Sequence, residues 1–357
     1  MMVQKLKKWF IDLILMALAI SGCTRSMPVN VSSLQKAVDS PAAATTTTTG
    51  SSASSFSLLP AGLFSKYDPI APGDYTEVVK VKAEKMEEAK ERSYTVHVPP
   101  AYDPEVAHAL VILLHEAGSN GGEFASLSKF NQLADANTFI AVYPEAFGAE
   151  KKWNTDLYPT AGANDVAYVT AVLDAAEKTY HIDENRVFIA GHYDGGILAF
   201  KLGGLIPERL AAVGAYGASF GYQHNASETI KLPAVTGPVS VIMINGNADE
   251  IVPYNPNDVL LSGNAGFLSA RDTQEYWMTQ LGCGGDPDES VRKDENVRMA
   301  TNTCSGGREA QFVRVWYSDH RWPGSFTFDN KKKAADDISA SVYIWDFFSG
   351  HPLPVTQ

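Results

Sequence analysis

Arg186-Val187-Phe188-Ile189-Ala190-Gly191-His192-Tyr193-Asp194-Gly195-Gly196 is the stretch on which the reading of this chain turns. A short apolar run enters three glycine-flanked residues, His192-Tyr193-Asp194, and a helical pattern opens over 196–205. Glycines on both sides of Tyr193 let the backbone reverse sharply between strand and helix. Outward from this corner the same alternation recurs. Residues 109–114, 139–143, 187–190, 211–215 and 239–244 are continuous apolar runs, as expected of strands buried on both faces. Residues 165–180 carry Val166, Val169, Leu173, Ala176 and Tyr180 at helical spacing, and further helices are expected at 270–281 and 334–348. Residues 75–81 and 93–98 read as an antiparallel pair. The expected fold class is therefore α/β: a mostly parallel central sheet with helices on both faces, entered through an antiparallel edge.

In such sheets the functional residues gather at the C-terminal strand ends. The strand before Gly191 leads into the corner at Tyr193, in the setting of a nucleophile elbow. The strand 239–244 ends in Asn245-Gly246-Asn247-Ala248-Asp249-Glu250-Ile251-Val252-Pro253-Tyr254, and the strand 311–317 ends in Ser318-Asp319-His320-Arg321-Trp322-Pro323-Gly324. Elbow, then acid, then histidine is the order of an α/β-hydrolase triad.

From about Glu91 to Gly324 the chain resembles the secreted esterases grouped with poly(3-hydroxybutyrate) depolymerases and feruloyl esterases. The resemblance is carried by Arg92-Ser93-Tyr94-Thr95-Val96-His97-Val98-Pro99, Leu113-Leu114-His115, Trp153-Asn154 and Asp165-Val166-Ala167-Tyr168. It continues through Asp183-Glu184-Asn185-Arg186-Val187, the Ala248–Tyr254 segment and His320-Arg321-Trp322-Pro323-Gly324. It implies an α/β-hydrolase fold, Asp249 as triad acid and His320 as triad base. It also implies a disulfide between Cys283 and Cys304, which an exported protein can keep oxidised.

The departure falls at the nucleophile position, where the family's Gly-x-Ser-x-Gly has Tyr193. Acidity is not the objection, since a phenol is more acidic than an aliphatic hydroxyl. Reach is the objection: the phenol oxygen lies a ring beyond the serine oxygen and overshoots the imidazole. A misplacement of about 1 Å can cost roughly 10²-fold in rate. The oxyanion loop also departs, reading His115-Glu116-Ala117-Gly118 where the family has glycine after histidine. Glu116, Ala117 and Asp194 are the expected oxyanion-hole positions. A Glu116 carboxylate about 5 Å from a developing oxyanion would oppose it by roughly 3 kcal/mol at an effective dielectric near 20; a carboxylate turned away would not. Trp153, Tyr254 and Trp322 are the expected cleft-lining aromatics, with structural packing the competing role for the two tryptophans. Ser219, in a literal Gly-x-Ser-x-Gly without a following helix, and Ser119, in the oxyanion loop, are weaker nucleophile candidates.

Length alone suggests two domains for 357 residues, but composition divides the chain differently. Residues 1–22 read as a lipoprotein signal peptide, with Lys5, Lys7 and Lys8 ahead of an apolar run too short to span a bilayer. It ends Ile20-Ser21-Gly22-Cys23, resembling a lipobox with Cys23 the residue to be lipidated. Residues 23–67 form a Ser/Thr-rich flexible tether, and 68–357 one α/β-hydrolase domain. The net charge of −12, near −14 once the signal's three lysines and one aspartate are gone, excludes nucleic acid as a partner class. No cofactor and no metal are expected: the cysteines form no C-x-x-C pair, Ser119 stands where a zincin's second histidine belongs, and the acidic loop 249–258 lacks EF-hand spacing. The expected location is that of an exported bacterial lipoprotein, at the outer membrane, periplasm or cell surface, held by its N-terminal lipid only. The expected ligand is an ester-containing small molecule or polymer. Two functional classes follow: a hydrolase-derived binding protein disabled at Tyr193, or an active esterase in which His320 and Asp249 activate water or an unusual nucleophile.

Overall fold

The computed structural model describes residues 66–82, 89–157, 163–225, 227–235, 237, 239–256, 266–292, 296–325 and 338–354. The expected signal, Cys23 and nearly all of the tether lie outside the described residues. The strands in chain order are β1 (Gly73–Val81), β2 (Lys90–Val98), β3 (His108–Leu114), β4 (Ile140–Pro144), β5 (Ile182–His192), β6 (Ala212–Tyr216) and β7 (Gly221–Asn225). There follow β8 (Glu228–Lys231), β9 (Ser240–Gly246), β10 (Gly266–Phe267), β11 (Asp288–Arg292), β12 (Val297–Thr303) and β13 (Glu309–Val315). The helices are α1 (Gly121–Ser128), α2 (Phe130–Asn137), α3 (Asp165–Thr179), α4 (Asp194–Leu205), α5 (Ala270–Leu281) and α6 (Ala340–Gly350).

The main sheet has the order β1-β2-β4-β3-β5-β6-β9-β13-β12-β11. Its centre, from β4 to β13, is parallel throughout. One edge is antiparallel through β1 and β2, as expected; the other is antiparallel through β12 and β11. The apolar runs explain the centre. Every residue of β3, β4, β6 and β9 is buried, and alternate residues serve opposite layers. Leu110, Ile112, Val187 and Ile189 join α3 and α4 in one core. Ala109, Val111, Phe188 and Ala190 join α1, α2 and α6 in the other. Helix α4 is buried along most of its length.

The register brings the functional ends together. Leu114 pairs with Gly191, His192 with Tyr216, Tyr216 with Ile244, and Gly246 with Val315. The loops after β3, β5, β6, β9 and β13 therefore open on one edge. A small sheet of β10, β7 and β8 follows β6, and it decides one candidate. The chain after Ser219 enters β7 and not a helix, and the fully buried Ser219 Oγ donates to the carbonyls of Gly221 and Leu268 at 2.9 and 2.8 Å.

Cys283 and Cys304 are disulfide-bonded, tying the end of α5 to the end of β12 across a sequence separation of 21. In the chain-entropy account a loop of that length is worth about 3 kcal/mol. The Cys283→Ser/Cys304→Ser protein is expected to lose about that much unfolding free energy in a urea titration. A midpoint equal to that of the oxidised natural protein would contradict this.

Candidate active site

The corner between β5 and α4 places Tyr193 at φ 51°, ψ −116°. Positive φ is unfavourable for a residue with a side chain, at a cost on the order of 1–3 kcal/mol. It is held by hydrogen bonds on both sides: Tyr193 N–H to the Tyr216 carbonyl at 3.0 Å, and Ile197 N–H to the Tyr193 carbonyl at 2.9 Å. The close packing of α4 against β3 allows no substituent at Gly195, where a Cβ would lie 2.4 Å from the Leu114 carbonyl oxygen.

Asp249 and His320 meet from the loops after β9 and β13. His320 Nδ1 donates to Asp249 Oδ2 at 2.8 Å, while Asp249 Oδ1 accepts the N–H groups of Ile251 and Val252 at 2.8 and 2.9 Å. The two loops are joined by Ala248 N–H donating to the Ser318 carbonyl, and the Tyr216 hydroxyl donates to the Asp319 carbonyl. The imidazole lies over Gly217, whose φ is 62° and where a Cβ would come within 3.1 Å of ring atoms. With the Nδ1 proton committed to Asp249, the Nε2 lone pair faces inward; it is buried and accepts no hydrogen bond from the described residues. The ring of Tyr193 stands edge-on to it, with centroids 4.8 Å apart and planes at 83°, and packs on Phe267 at 5.5 Å. A six-membered ring thus occupies the space beside His320, and its hydroxyl is not bonded to Nε2.

In the expected oxyanion loop the Ala117 N–H donates to Asp194 Oδ1 at 2.6 Å. The same carboxylate accepts Gly195 N–H at 3.1 Å and Trp153 N–H at 3.0 Å. Asp194 is fully buried, and burial lifts its pKa to about 7 against the opposing pull of these N–H groups. Glu116 resolves the question of orientation: its carboxylate points into the site. Glu116 Oε2 lies 3.4 Å from His192 Nδ1, and burial raises its pKa while His320 pulls it down.

His192 was not singled out from the sequence. It is 1% exposed, and burial lowers its pKa to about 3, so the ring is neutral. Its Nε2–H donates to the His320 carbonyl at 2.7 Å, leaving an Nδ1 lone pair with no hydrogen bond. The available signal was alternation along β5: residues 188, 190 and 192 share a face, which turns His192 toward Trp322 and Tyr216.

All three expected cleft aromatics are enclosed. Trp153 is fully buried and donates its indole N–H to the His115 carbonyl at 2.7 Å. Trp322 packs on Phe124 and His192 and donates to Ser341 Oγ at 3.1 Å. Tyr254 is 7% exposed, with the Arg314 guanidinium 4.7 Å above its ring. His115 is structural: Nδ1 donates to the Glu116 carbonyl and Nε2 accepts from Ala146 N–H. Ser119 Oγ donates to Glu123 Oε2. An open cavity of about 670 Å³ is lined by Glu116, Ala117, Gly118, Ser119, Phe124 and Leu127.

Comparison with known proteins finds likenesses to esterases. A family model described as esterase PHB depolymerase matches residues 92–262. NocK of Nocardia uniformis subsp. tsuyamanensis, which bears an esterase name, is 26% identical over 281 residues, 72% of this chain and 78% of its own. A feruloyl esterase C of Aspergillus clavatus is 23% identical over 223 residues, 60% of this chain and 71% of its own. The solved S-formylglutathione hydrolase of Agrobacterium tumefaciens matches 80% of this chain and 98% of its own at 13% identity, with a TM-score of 0.49. The sheet order and the elbow define a member of the α/β-hydrolase superfamily. Within it, the chain is similar to carboxylic-ester hydrolases of the PHB depolymerase and feruloyl esterase group.

Three backbone donors depend on one side chain. Asp194→Ala would strand the N–H groups of Ala117 and Trp153, at about 1–3 kcal/mol for each buried donor left unpaired. The expected loss in a urea titration is about 3 kcal/mol. A change below about 0.5 kcal/mol, the range of neutral surface substitutions, would show that Asp194 does not hold these loops.

Proposed function

We propose that this protein is an exported, lipid-anchored α/β-hydrolase that has lost acyl-serine chemistry and retains the ability to bind an ester-containing small molecule or polymer. The observation that carries the reading is the ring of Tyr193, 4.8 Å from His320 and edge-on to it, at the corner where the resemblance expects a short hydroxyl. Two further features support it. The Ala117 N–H is spent on Asp194, and the Glu116 carboxylate faces the site, where it would oppose a developing oxyanion. Export and anchoring rest on the residues 1–23 pattern, and on the odd cysteine left over once Cys283 and Cys304 are bridged. The feruloyl esterase likeness suggests aromatic esters as first ligands to try.

One observation favours a second reading. Asp249 fixes the His320 tautomer with Nε2 unprotonated and unbonded, which is the form a general base needs to activate water.

The test is hydrolysis of short aryl and feruloyl esters by the natural protein, Tyr193→Ser, Tyr193→Phe and His320→Ala. Losing the nucleophile of a serine hydrolase costs on the order of 10⁶ in kcat. The expected result is therefore turnover near background for the natural protein, with feruloyl ester binding detectable by calorimetry and activity gained in Tyr193→Ser. Family-level turnover by the natural protein, unchanged in Tyr193→Phe and abolished in His320→Ala, would reject the disabled reading in favour of activated water.

A further inference from the structure

We propose that Glu116, His192 and His320 form a divalent transition-metal site of two imidazoles and one carboxylate. One ligand atom from each residue lies within 4.8 Å of the others. The three residues come from separate segments, the loop after β3, the end of β5 and the loop after β13, so no sequence motif announces them.

The histidines are prepared for the role by their outer partners. A metal-ligating histidine commonly donates its other N–H to a carboxylate or a backbone carbonyl, which fixes the tautomer. His320 does so to Asp249 Oδ2 at 2.8 Å, leaving Nε2 free. His192 does so to the His320 carbonyl at 2.7 Å, leaving Nδ1 free. Both remaining lone pairs are buried and without hydrogen bonds, and the His192 side chain is almost wholly enclosed, with Nδ1 3.4 Å from Glu116 Oε2. An unpaired buried acceptor is ordinarily costly, so two that share one small space are well matched to a cation.

The dimensions suit a small ion. Zinc bonds of 2.0–2.1 Å to nitrogen and oxygen set tetrahedral ligands roughly 3.3 Å apart, which the Glu116–His192 separation of 3.4 Å already meets. With every ligand atom within 4.8 Å of the others, closing the set to tetrahedral spacing asks for movements of at most roughly 1.5 Å, and the Glu116 side chain is 38% exposed. Two imidazoles disfavour magnesium and calcium and suit zinc or cobalt. Three protein ligands leave a fourth position for water. The competing arrangement is a protonated Glu116 donating to His192 Nδ1, which needs no ion.

The experiment uses the full chain without an affinity tag, stripped with chelator. Zinc is titrated by calorimetry and cobalt by visible absorption. The expected result is one equivalent bound with Kd at or below about 1 μM and the ligand-field bands of tetrahedral cobalt. Glu116→Gln and His320→Gln should each abolish it, and Asp249→Asn should weaken it by about 10–100-fold through the lost outer-shell partner. Glu116→Gln is the decisive variant, because it leaves the buried core intact. Absence of binding up to 1 mM, or uptake unchanged in Glu116→Gln and His320→Gln, would overturn the site. This readout is metal binding and not ester turnover, so its failure leaves the reading of Tyr193 as it stands, and an inert hydrolase can still bind the ion.

Discussion

The Asp194 carboxylate, enclosed at the first turn of α4, gathers the N–H groups of Ala117, Trp153 and Gly195 around two oxygens. A negative group at a helix N-terminus is favoured by the helix dipole and by the unpaired backbone donors there. Here it also recruits donors from two other loops, joining the ends of β3 and β5 to the segment before α3. With those loops fixed, Glu116 is presented to His192, and Trp153 is drawn in to cap the His115 carbonyl. The cost is chemical. The N–H that the fold could have turned toward a substrate oxygen is committed to a side chain.

This commitment explains much of what the sequence concealed. Glu116, Ala117 and Asp194 are the expected oxyanion-hole positions, and the hydrogen bond from Ala117 N–H to the Asp194 carboxylate is a long-range pairing with no local signature. The central strands were legible because each is buried on both faces and reads as an apolar run. The strands β11 and β12 were not: β11 is exposed at all five positions, so no burial pattern marks it. The short helices α1 and α2 and the sheet of β10, β7 and β8 escaped because they are only two turns or a few residues long. Asp249 and His320, which strand-end position and chain order single out, are hydrogen-bonded. His192 carries no motif of its own: alternation along β5 places it beside Trp322 and Tyr216, while its neighbour Tyr193 takes the corner.

The electrostatics of the site run against anion stabilisation. Glu116 and Asp249 are carboxylates, and His192 is held neutral by burial. The cationic charge that could offset them at closest range is the His320 imidazolium, formed only if Nε2 takes a proton. An acyl-transfer site needs preorganised donors aimed at the oxygen that becomes negative. This one presents lone pairs instead, at His192 Nδ1, His320 Nε2 and Glu116. Lone pairs without donors are complementary to a cation or to a proton, not to an oxyanion.

Tyr193 keeps the positive φ of the corner although a side chain is disfavoured there. That conformation is imposed by the surroundings, since Gly195 packs on the Leu114 carbonyl with no room for a Cβ, and Tyr216 and Ile197 hold the corner's backbone groups. The strain would remain with any residue other than glycine at 193, so the elbow's shape is evidence for the fold and not for turnover. What the side chain adds is a ring whose preferred edge-on contact with His320 is itself stabilising, on the scale of about 0.5–1.5 kcal/mol for aromatic pairs. At this corner, then, the elbow's backbone carries a side chain whose ring is packed edge-on against His320.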